Sequence, residues 1–360
     1  SEEWGPAFLR HYSDKWGARN LAAREEILNC CHSTSGMLLD VTQEEVRQAC
    51  ASIKRRNRLD RDGICVNAIA LWNESCGSSA AMSIAKLMAS SANCQAQVVH
   101  ARVFGKLSGH AEVEETRVIL PLGAIAQVAD VLISCRLNAC IDKLLPPVSG
   151  TFIGARPKTQ SAEIAVAAQL WVEKSLDCGS IGALVQEDVR GHFDTLSIPS
   201  IMQWLLRHDV DAALVGAAIR AQMLPAILIQ CQAAECRIIG RSTGGLTGSR
   251  VAGSLARIPI EQTIADVAKI AGNQGFLAGS LRLTLASYVD NIFVLGKDGP
   301  SAVLIADKFE ELLAVRWKQT IKPSSREIMV PKGALVGRVN VKRWTLVESM
   351  KVLGMSVQHN

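Results

Sequence analysis

The 360-residue sequence predicts an α+β protein, and three observations carry that expectation. Amphipathic helical stripes and short apolar runs fall in blocks rather than in strict strand–helix alternation. A compact apolar run at 181–185 stands just before Asp188. Two more, 281–286 and 292–295, flank Ser-Tyr-Val-Asp-Asn, which is a hairpin signal with Asp290-Asn291 at the bend. At 48% hydrophobic and 20% charged residues, with a mean hydropathy of +0.17, the chain can bury a large core and is not a disordered tail. Its length fits two domains, or one with lobes.

Each element has its own signal. Thr42-Gln43-Glu44-Glu45 has the form of a capping box, and Val46, Cys50 and Ile53 then share one helical face. A basic run from Lys54 to Arg61 leads into a turn at Asp62-Gly63. Beyond the Ser/Ala-rich stretch 78–92, residues 118–122 read as a strand, and Val131, Ile133 and Leu137 as a helix that stops before Pro146-Pro147. Helices follow over 161–176, 200–206 and 211–223. Another starts near Ser249 and ends at Gly272, with Pro259 expected to kink it. The sequence contains no internal repeat.

Composition removes several classes of function. The eleven cysteines form no Cys-x-x-Cys pair, so neither a disulfide framework nor an ordinary zinc module is indicated. Cys30-Cys31-His32 is the one tight cluster, read as a metal corner or, more simply, as reduced thiols. No uncharged apolar run approaches the roughly 18 residues of a membrane span, and the first residues lack a signal-peptide layout. The expectation is therefore a soluble intracellular chain; because it starts at Ser1 rather than Met, it is also expected to be a piece of something longer. Residues 316–351 hold nine Lys/Arg and two Glu, a charge of +7, so the remaining residues of a chain at +5 sum to −2. Such a stretch is either a solvated face or a surface for a polyanion.

Two carboxylates stand out by position: Asp188 past a buried strand, and Asp290 at a hairpin tip. Paired strand-end carboxylates can hold hard cations about 3.5–4 Å apart, one activating an attacking oxygen and one steadying a leaving group. Taken singly, each is more simply a turn or cap residue.

The residues around them recur in a known order. Gln186-Glu187-Asp188-Val189-Arg190-Gly191-His192-Phe193-Asp194, Gly244-Gly245-Leu246-Thr247-Gly248-Ser249, Tyr288-Val289-Asp290-Asn291 and Lys351-Val352-Leu353-Gly354-Met355 follow one another. Upstream stand Arg58-Leu59-Asp60-Arg61-Asp62-Gly63-Ile64, Thr116-Arg117-Val118-Ile119-Leu120-Pro121-Leu122 and Phe152-Ile153-Gly154-Ala155-Arg156. From about residue 40 onward the chain resembles the reverse transcriptases of non-LTR (LINE-type) retrotransposons. The segments are similar to that family's Asp-x-x-x-x-Phe-Asp, Gly-x-Pro-Gln-Gly-Ser, Tyr-x-Asp-Asp, Leu-Gly, Pro-Gly-Pro-Asp-Gly-Ile, Tyr-Arg-Pro-Ile-Ser-Leu and Gly-Phe-Arg motifs.

The resemblance implies a right-hand polymerase of fingers and palm, with a small antiparallel palm sheet flanked by helices and no thumb. It divides the chain into a leader at 1–72, fingers at 73–180 and a palm at 181–360 that includes the catalytic hairpin 281–295. The implied reaction is RNA-directed DNA synthesis by two-metal phosphoryl transfer. Asp188, the carbonyl of Val189 and Asp290 would ligate two magnesium ions, with manganese as the alternative. Lys322 would protonate departing pyrophosphate or is a plain solvated lysine. Arg117, with Lys106 as helper or mere surface residue, would meet the incoming triphosphate. Phe193 is the sugar gate or a core aromatic; Thr247 and Gly248 lie near nucleotide or template; Tyr288 and Asn291 flank the hairpin aspartate; and Leu353 and Gly354 form the primer grip. Implied partners are an RNA template, a DNA primer, deoxynucleotides and further domains of a retroelement polyprotein, with no membrane and with nuclear action at the insertion site. Two departures bear on activity: Asn291 stands where the family has its second aspartate, and Thr247 where it has glutamine. A catalytically inert, degenerate nucleic-acid-binding polypeptide is the competing reading.

Overall fold

The computed structural model describes residues 4–17, 19–90, 98–105, 113, 116–154, 156, 159–177, 182–231, 234–238, 240–330 and 343–358. In chain order, helices α1 (Trp4–Lys15), α2 (Leu21–Ser33), α3 (Gln43–Ser52), α4 (Val66–Cys76) and α5 (Ser78–Ala89) precede strands β1 (Val98–His100), β2 (Arg102–Gly105) and β3 (Thr116–Ile119). Then come α6 (Ala124–Leu144), β4 (Thr151–Ile153), α7 (Ser161–Asp177), β5 (Ala183–Asp188), α8 (Ile198–Arg207), α9 (Ala212–Met223), β6 (Ala226–Cys231), β7 (Ala234–Ile238) and α10 (Arg250–Ala271). The chain continues with β8 (Phe276–Ala278), β9 (Leu281–Leu283), β10 (Leu285–Tyr288), β11 (Asn291–Gly296), α11 (Gly299–Trp317), β12 (Glu327–Met329), β13 (Thr345–Leu346), β14 (Ser349–Val352) and β15 (Met355–Gln358).

These elements form two compact units, Ser1–Leu144 with Phe193–Ala256, and Leu145–His192 with Arg257–Asn360. The sequence reading cut the chain into consecutive segments, whereas the units interleave. The reason is packing: α9, with ten of its twelve residues buried, lies against α2, α5 and α6 and so ties residues 193–256 to the N-terminal helices.

In the first unit, the capping box forms as expected: Thr42 Oγ1 accepts from the Glu45 amide while the Glu45 carboxylate accepts from the Thr42 amide. The Ser/Ala-rich stretch is α5, whose small residues let it bury Ala80, Ala81, Ile84, Ala85, Met88 and Ala89. Phe8, Tyr12 and Trp16 recur every four residues on α1, so they share a face, and that face is stacked on Val99, Ile227, Ile229 and Ile238 of the β1-β6-β7 sheet. Helix α6, at 21 residues with a mean hydropathy of 1.4 over its most apolar 18-residue window, is long and apolar enough to cross a membrane by length and composition alone, although it is not an uncharged run. Its Asp130 is instead buried against Ser249, Arg250 and Val251, and its Arg136 pairs with Glu45, as befits a core helix.

The second unit is built on a six-stranded sheet in the order β13-β12-β5-β11-β10-β4. Strand β5 is central and antiparallel to both neighbours, with Asp188 opposite Asn291 and Leu184 opposite Leu295 on one side, and Gln186 opposite Glu327 on the other. Trp171 and Phe276 pack edge to face in a core that includes Leu184, Phe293 and Met350. Two sequence expectations shift. The strand begins at Ala183 and carries Asp188 as its last residue rather than beyond it; Ile181 lies outside the described residues. The run 281–286 is not one strand: Thr284 turns its amide and hydroxyl to the carbonyl of Gly150, so β9 pairs with β8 and only β10 pairs with β11. The hairpin bend is accordingly Val289-Asp290, closed by the Tyr288–Asn291 pair, rather than Asp290-Asn291.

Candidate functional site

The second unit gathers Asp188, Val189, Asp290, Asn291 and Lys322 around the end of β5. Backbone bonds fix that end on both sides. Arg190 N donates to Thr320 O (2.8 Å) and Lys322 N to Asp188 O (2.9 Å), an antiparallel bridge between Val189 and Ile321. In that pattern the N–H and C=O of Val189 both point away from Ile321. The Val189 amide donates to Asp290 O at 2.9 Å, so its carbonyl faces the hairpin tip as well. Ser325 Oγ accepts from the Asp188 amide at 2.9 Å.

The hairpin tip is held under strain. Val289 has φ +59°, a region that a β-branched residue occupies at a cost of about 1–3 kcal/mol, sustained only where neighbours over-determine the backbone. Those neighbours are visible. Strand β4 runs parallel to β10, Gly154 N donates to Ser287 O at 2.7 Å, and a Cβ at Gly154 would lie 2.5 Å from the Tyr288 ring. Glycine is therefore needed at the close approach that seats the Tyr288-Val289-Asp290 turn. Behind it, Arg156 and Arg257 both grip the buried Glu261.

Electrostatics tie the two aspartates together. The Asp188 carboxyl is pushed up to about 6, first by burial and next by the Asp290 carboxylate, with Lys322 opposing. Asn291 Nδ2 donates to Asp290 Oδ1 at 3.3 Å. Among the described residues no group of three or more His, Cys, Asp or Glu is placed to hold a metal ion. The donors at this point are two carboxylates and one carbonyl, all oxygen, and a half-buried like-charged pair gains from a cation. That set fits a hard divalent ion which keeps its other positions for water and phosphate. It does not fit the Cys30-Cys31 thiols, both buried, Cys30 being pushed up in pKa by that burial.

The opposite face of β5 holds residues that sequence reasoning passed over. Glu187 is fully buried, and its carboxyl is raised well above the usual range by burial and by Glu310, against the pull of Arg326. Glu310 itself is gripped by Arg326 (2.6 Å) and Arg343 (2.6 Å). The sole hint in the sequence was the carboxylate next to Asp188 in a buried strand.

The first unit gathers a second group. Helix α1 ends in a clamp on the segment around Phe193 and the loop 242–249. Trp16 Nε1 donates to Asp194 Oδ1 (3.1 Å), Lys15 Nζ pairs with Asp194 Oδ2 (2.8 Å), and the Trp16 carbonyl accepts from the amides of Ser242 and Thr243. Gly245 N donates to Phe193 O (2.8 Å), and Leu246 N to Gln222 Oε1 (2.8 Å). At the loop's far end Leu120 N donates to Thr247 O (2.9 Å), so Thr247 lies beside the end of β3, the strand that carries Arg117 opposite Phe104. Gly248, exposed and at φ +108°, follows in a backbone state that side chains avoid. Phe193 is half-buried rather than a full core aromatic. Asp130 closes the loop by accepting from Ser249 Oγ and the amides of Arg250 and Val251 at the start of α10. A lone carboxylate within an apolar helical stripe was its sequence signal. Lys106 lies outside the described residues, as does the Arg117 side chain.

The C-terminal pair behaves as a turn. Leu353 (φ +47°) and Gly354 (φ +94°) connect β14 and β15, and Leu353 is packed against the same core as Tyr288.

No protein-family model matches this chain, and no curated protein does. Among solved structures it is similar to telomerase from Candida albicans in complex with the TWJ fragment of telomeric RNA, at TM-score 0.45 and 12% identity over 73% of this chain and 46% of that one. It is also similar to apo telomerase from Candida tropicalis truncated from its C-terminal domain, at TM-score 0.48 and 10% identity over 73% of this chain and 54% of that one. This chain thus spans about half the length of the telomerase chains it matches.

Proposed function

We propose that this chain is the fingers-and-palm core of an RNA-directed DNA polymerase of retroelement type. One observation carries the proposal: a central strand ends in Asp188, a strained hairpin tip presents Asp290 beside it, and the Val189 carbonyl faces the same tip. In this reading Asp188, Asp290 and the Val189 carbonyl would hold divalent magnesium. Bound there, the metal supplies charge neutralisation and activation of a primer 3′ hydroxyl. Lys322, exposed next to Asp188, is the proton donor for departing pyrophosphate. By the resemblance, Phe193, Thr247 and Gly248 are the residues assigned to the nucleotide, with Arg117 as the triphosphate cation. Template RNA and primer are the implied partners, and the wider element supplies the remaining domains.

A second reading is favoured by one residue. Asn291 keeps the shape of an aspartate but lacks its charge, so the same scaffold serves an inert nucleic-acid-binding relic. Primer extension on an RNA template with magnesium and deoxynucleotides separates the two, run with this chain, Asp290→Ala and Asn291→Asp. Extension by the unaltered chain and at least about a thousandfold loss in Asp290→Ala is the expected result. Extension by Asn291→Asp alone establishes the relic. Calorimetric magnesium binding that is unchanged by Asp290→Ala refutes the site itself.

A further inference from the structure

We propose a second nucleic-acid site, separate from the carboxylate pair, in a groove between helix α1 and strand β7 that takes the phosphodiester backbone of a single strand. The groove has a volume of about 440 Å³ and is lined by Arg10, Arg19 and Arg237 together with Pro6, Leu9, Ser13 and Ile238. Its origin is the division of labour on α1. Phe8, Tyr12 and Trp16 turn inward to the sheet, which leaves Leu9, Arg10 and Ser13 on the flank. Among the described residues strand β7 is an edge strand bonded only to β6, and it contributes Arg237 and Ile238 to that flank.

The charges point to an anion. Among the described residues no carboxylate lines the groove. Arg10 and Arg237 form no ion pair among the described residues, and Arg19 has only the exposed Asp14 at 3.3 Å. Three planar guanidinium forks grip phosphate oxygens two at a time. Exposed Pro6 and the partly exposed Leu9 give the sugars of a strand an apolar edge to lie against, which a small inorganic anion does not need. A groove this open, with cations spread from one end of a helix to a strand edge, matches a chain of phosphates better than a single one. Phosphodiester strands come as RNA or DNA, and the chemistry here is common to both.

Salt dependence tests this without reference to polymerase activity. A labelled single-stranded RNA and the DNA of the same sequence are titrated by fluorescence anisotropy across a salt series. The proteins are the unaltered chain, Arg10→Gln/Arg19→Gln/Arg237→Gln, its all-lysine counterpart, and the charge-matched control Lys86→Gln/Lys143→Gln/Arg207→Gln. Each neutralised single-strand phosphate contributes about 0.7 to the log–log salt slope, so the groove variant should lose about 2 units of slope and roughly tenfold or more in affinity at low salt. The lysine variant should keep the slope, which also shows that the altered groove still folds. Equal losses on RNA and DNA assign the contacts to the backbone; a loss confined to RNA assigns the strand to RNA through its 2′ hydroxyls. The proposal is overturned by an unchanged slope, by an equal drop in the control, by no binding in the unaltered chain, or by displacement with polyglutamate as readily as with nucleic acid. Polymerase failure with an intact groove slope would refute the function proposed above and leave this site standing.

Discussion

Glu187 makes the sharpest prediction, because its charge balance can be counted. Around it stand three acids, Glu187, Glu310 and Asp307, and two guanidinium groups, Arg326 and Arg343, and both of the latter are committed to Glu310, with Arg343 also reaching Asp307. One acid lacks a counter-charge, and it is the fully buried one. As an ion Glu187 has no hydrogen-bond donor at either oxygen, whereas protonation turns one oxygen into a donor facing Glu310. The folded chain therefore keeps a proton that the unfolded chain releases near pH 4.5. Because the folded-state pKa is the higher one, the associated stability is complete below about 4.5 and is lost as pH rises toward the folded value. The slope is about 1.4 kcal/mol per pH unit for one proton. Glu187→Gln supplies a neutral amide of the same shape and removes that slope. Urea unfolding at half-unit steps from pH 5 to 8 should show the unaltered chain losing stability relative to Glu187→Gln by up to this amount per unit. Parallel curves for the two proteins would refute the protonated assignment.

Other residues give simpler tests. Glu261→Gln removes the buried carboxylate charge that Arg156 and Arg257 both grip, each of the two only about an eighth exposed; a loss of about 3–5 kcal/mol in urea unfolding is expected. Gly154→Ala forces a methyl group to within 2.5 Å of the Tyr288 ring and 2.9 Å of the Ser287 carbonyl, so about 1–3 kcal/mol of stability should be lost together with magnesium affinity, read by calorimetry. Trp16→Phe keeps an aromatic ring of smaller size in the core and removes the N–H that holds Asp194. It should speed hydrogen exchange at the amides of Gly244 and Gly245 and raise KM for deoxynucleotide more than it lowers kcat, and normal exchange there would count against the clamp.

Legibility in the sequence followed the range of the interactions. Local signals held: the capping box at Thr42, the helix over 161–176 that is α7, and the hairpin around Asp290 depend on neighbours within a few residues. The break at Thr284 did not show, because its partner is Gly150, 134 residues away, and an apolar run gives no warning of a distant carbonyl. The clamp of α1 on Asp194 was invisible for the same reason, since Trp16 and Asp194 are 178 residues apart. Helix α11 has local signals, an Asp298 cap and Pro300 in its first turn, that were not read from the sequence. At the candidate site the aspartates were legible as motif positions. Their mutual electrostatics, the orientation of the Val189 carbonyl and the acid cluster behind them belong to the sheet register, which no local pattern encodes.

Asn291 shows why such a scaffold can persist whichever way its activity has gone. The position opposes Asp188 across the β5–β11 ladder and closes the two-residue turn with Tyr288, so the fold asks only for a short side chain that tolerates this register. Asparagine meets that demand and donates to Asp290 besides. An aspartate would meet it equally in shape, yet it would bring a third negative charge to a point where Asp188 is already pushed up to about 6 by burial and Asp290. Without a cation, then, asparagine is the more comfortable residue, and with one, aspartate is. The quantity that distinguishes them is the gain in melting temperature on adding magnesium: Asn291→Asp should melt lower than the unaltered chain in chelator and gain more on addition of the ion. If instead both proteins gain equally, residue 291 lies outside the field of the bound cation, and its identity carries no information about whether this chain is active.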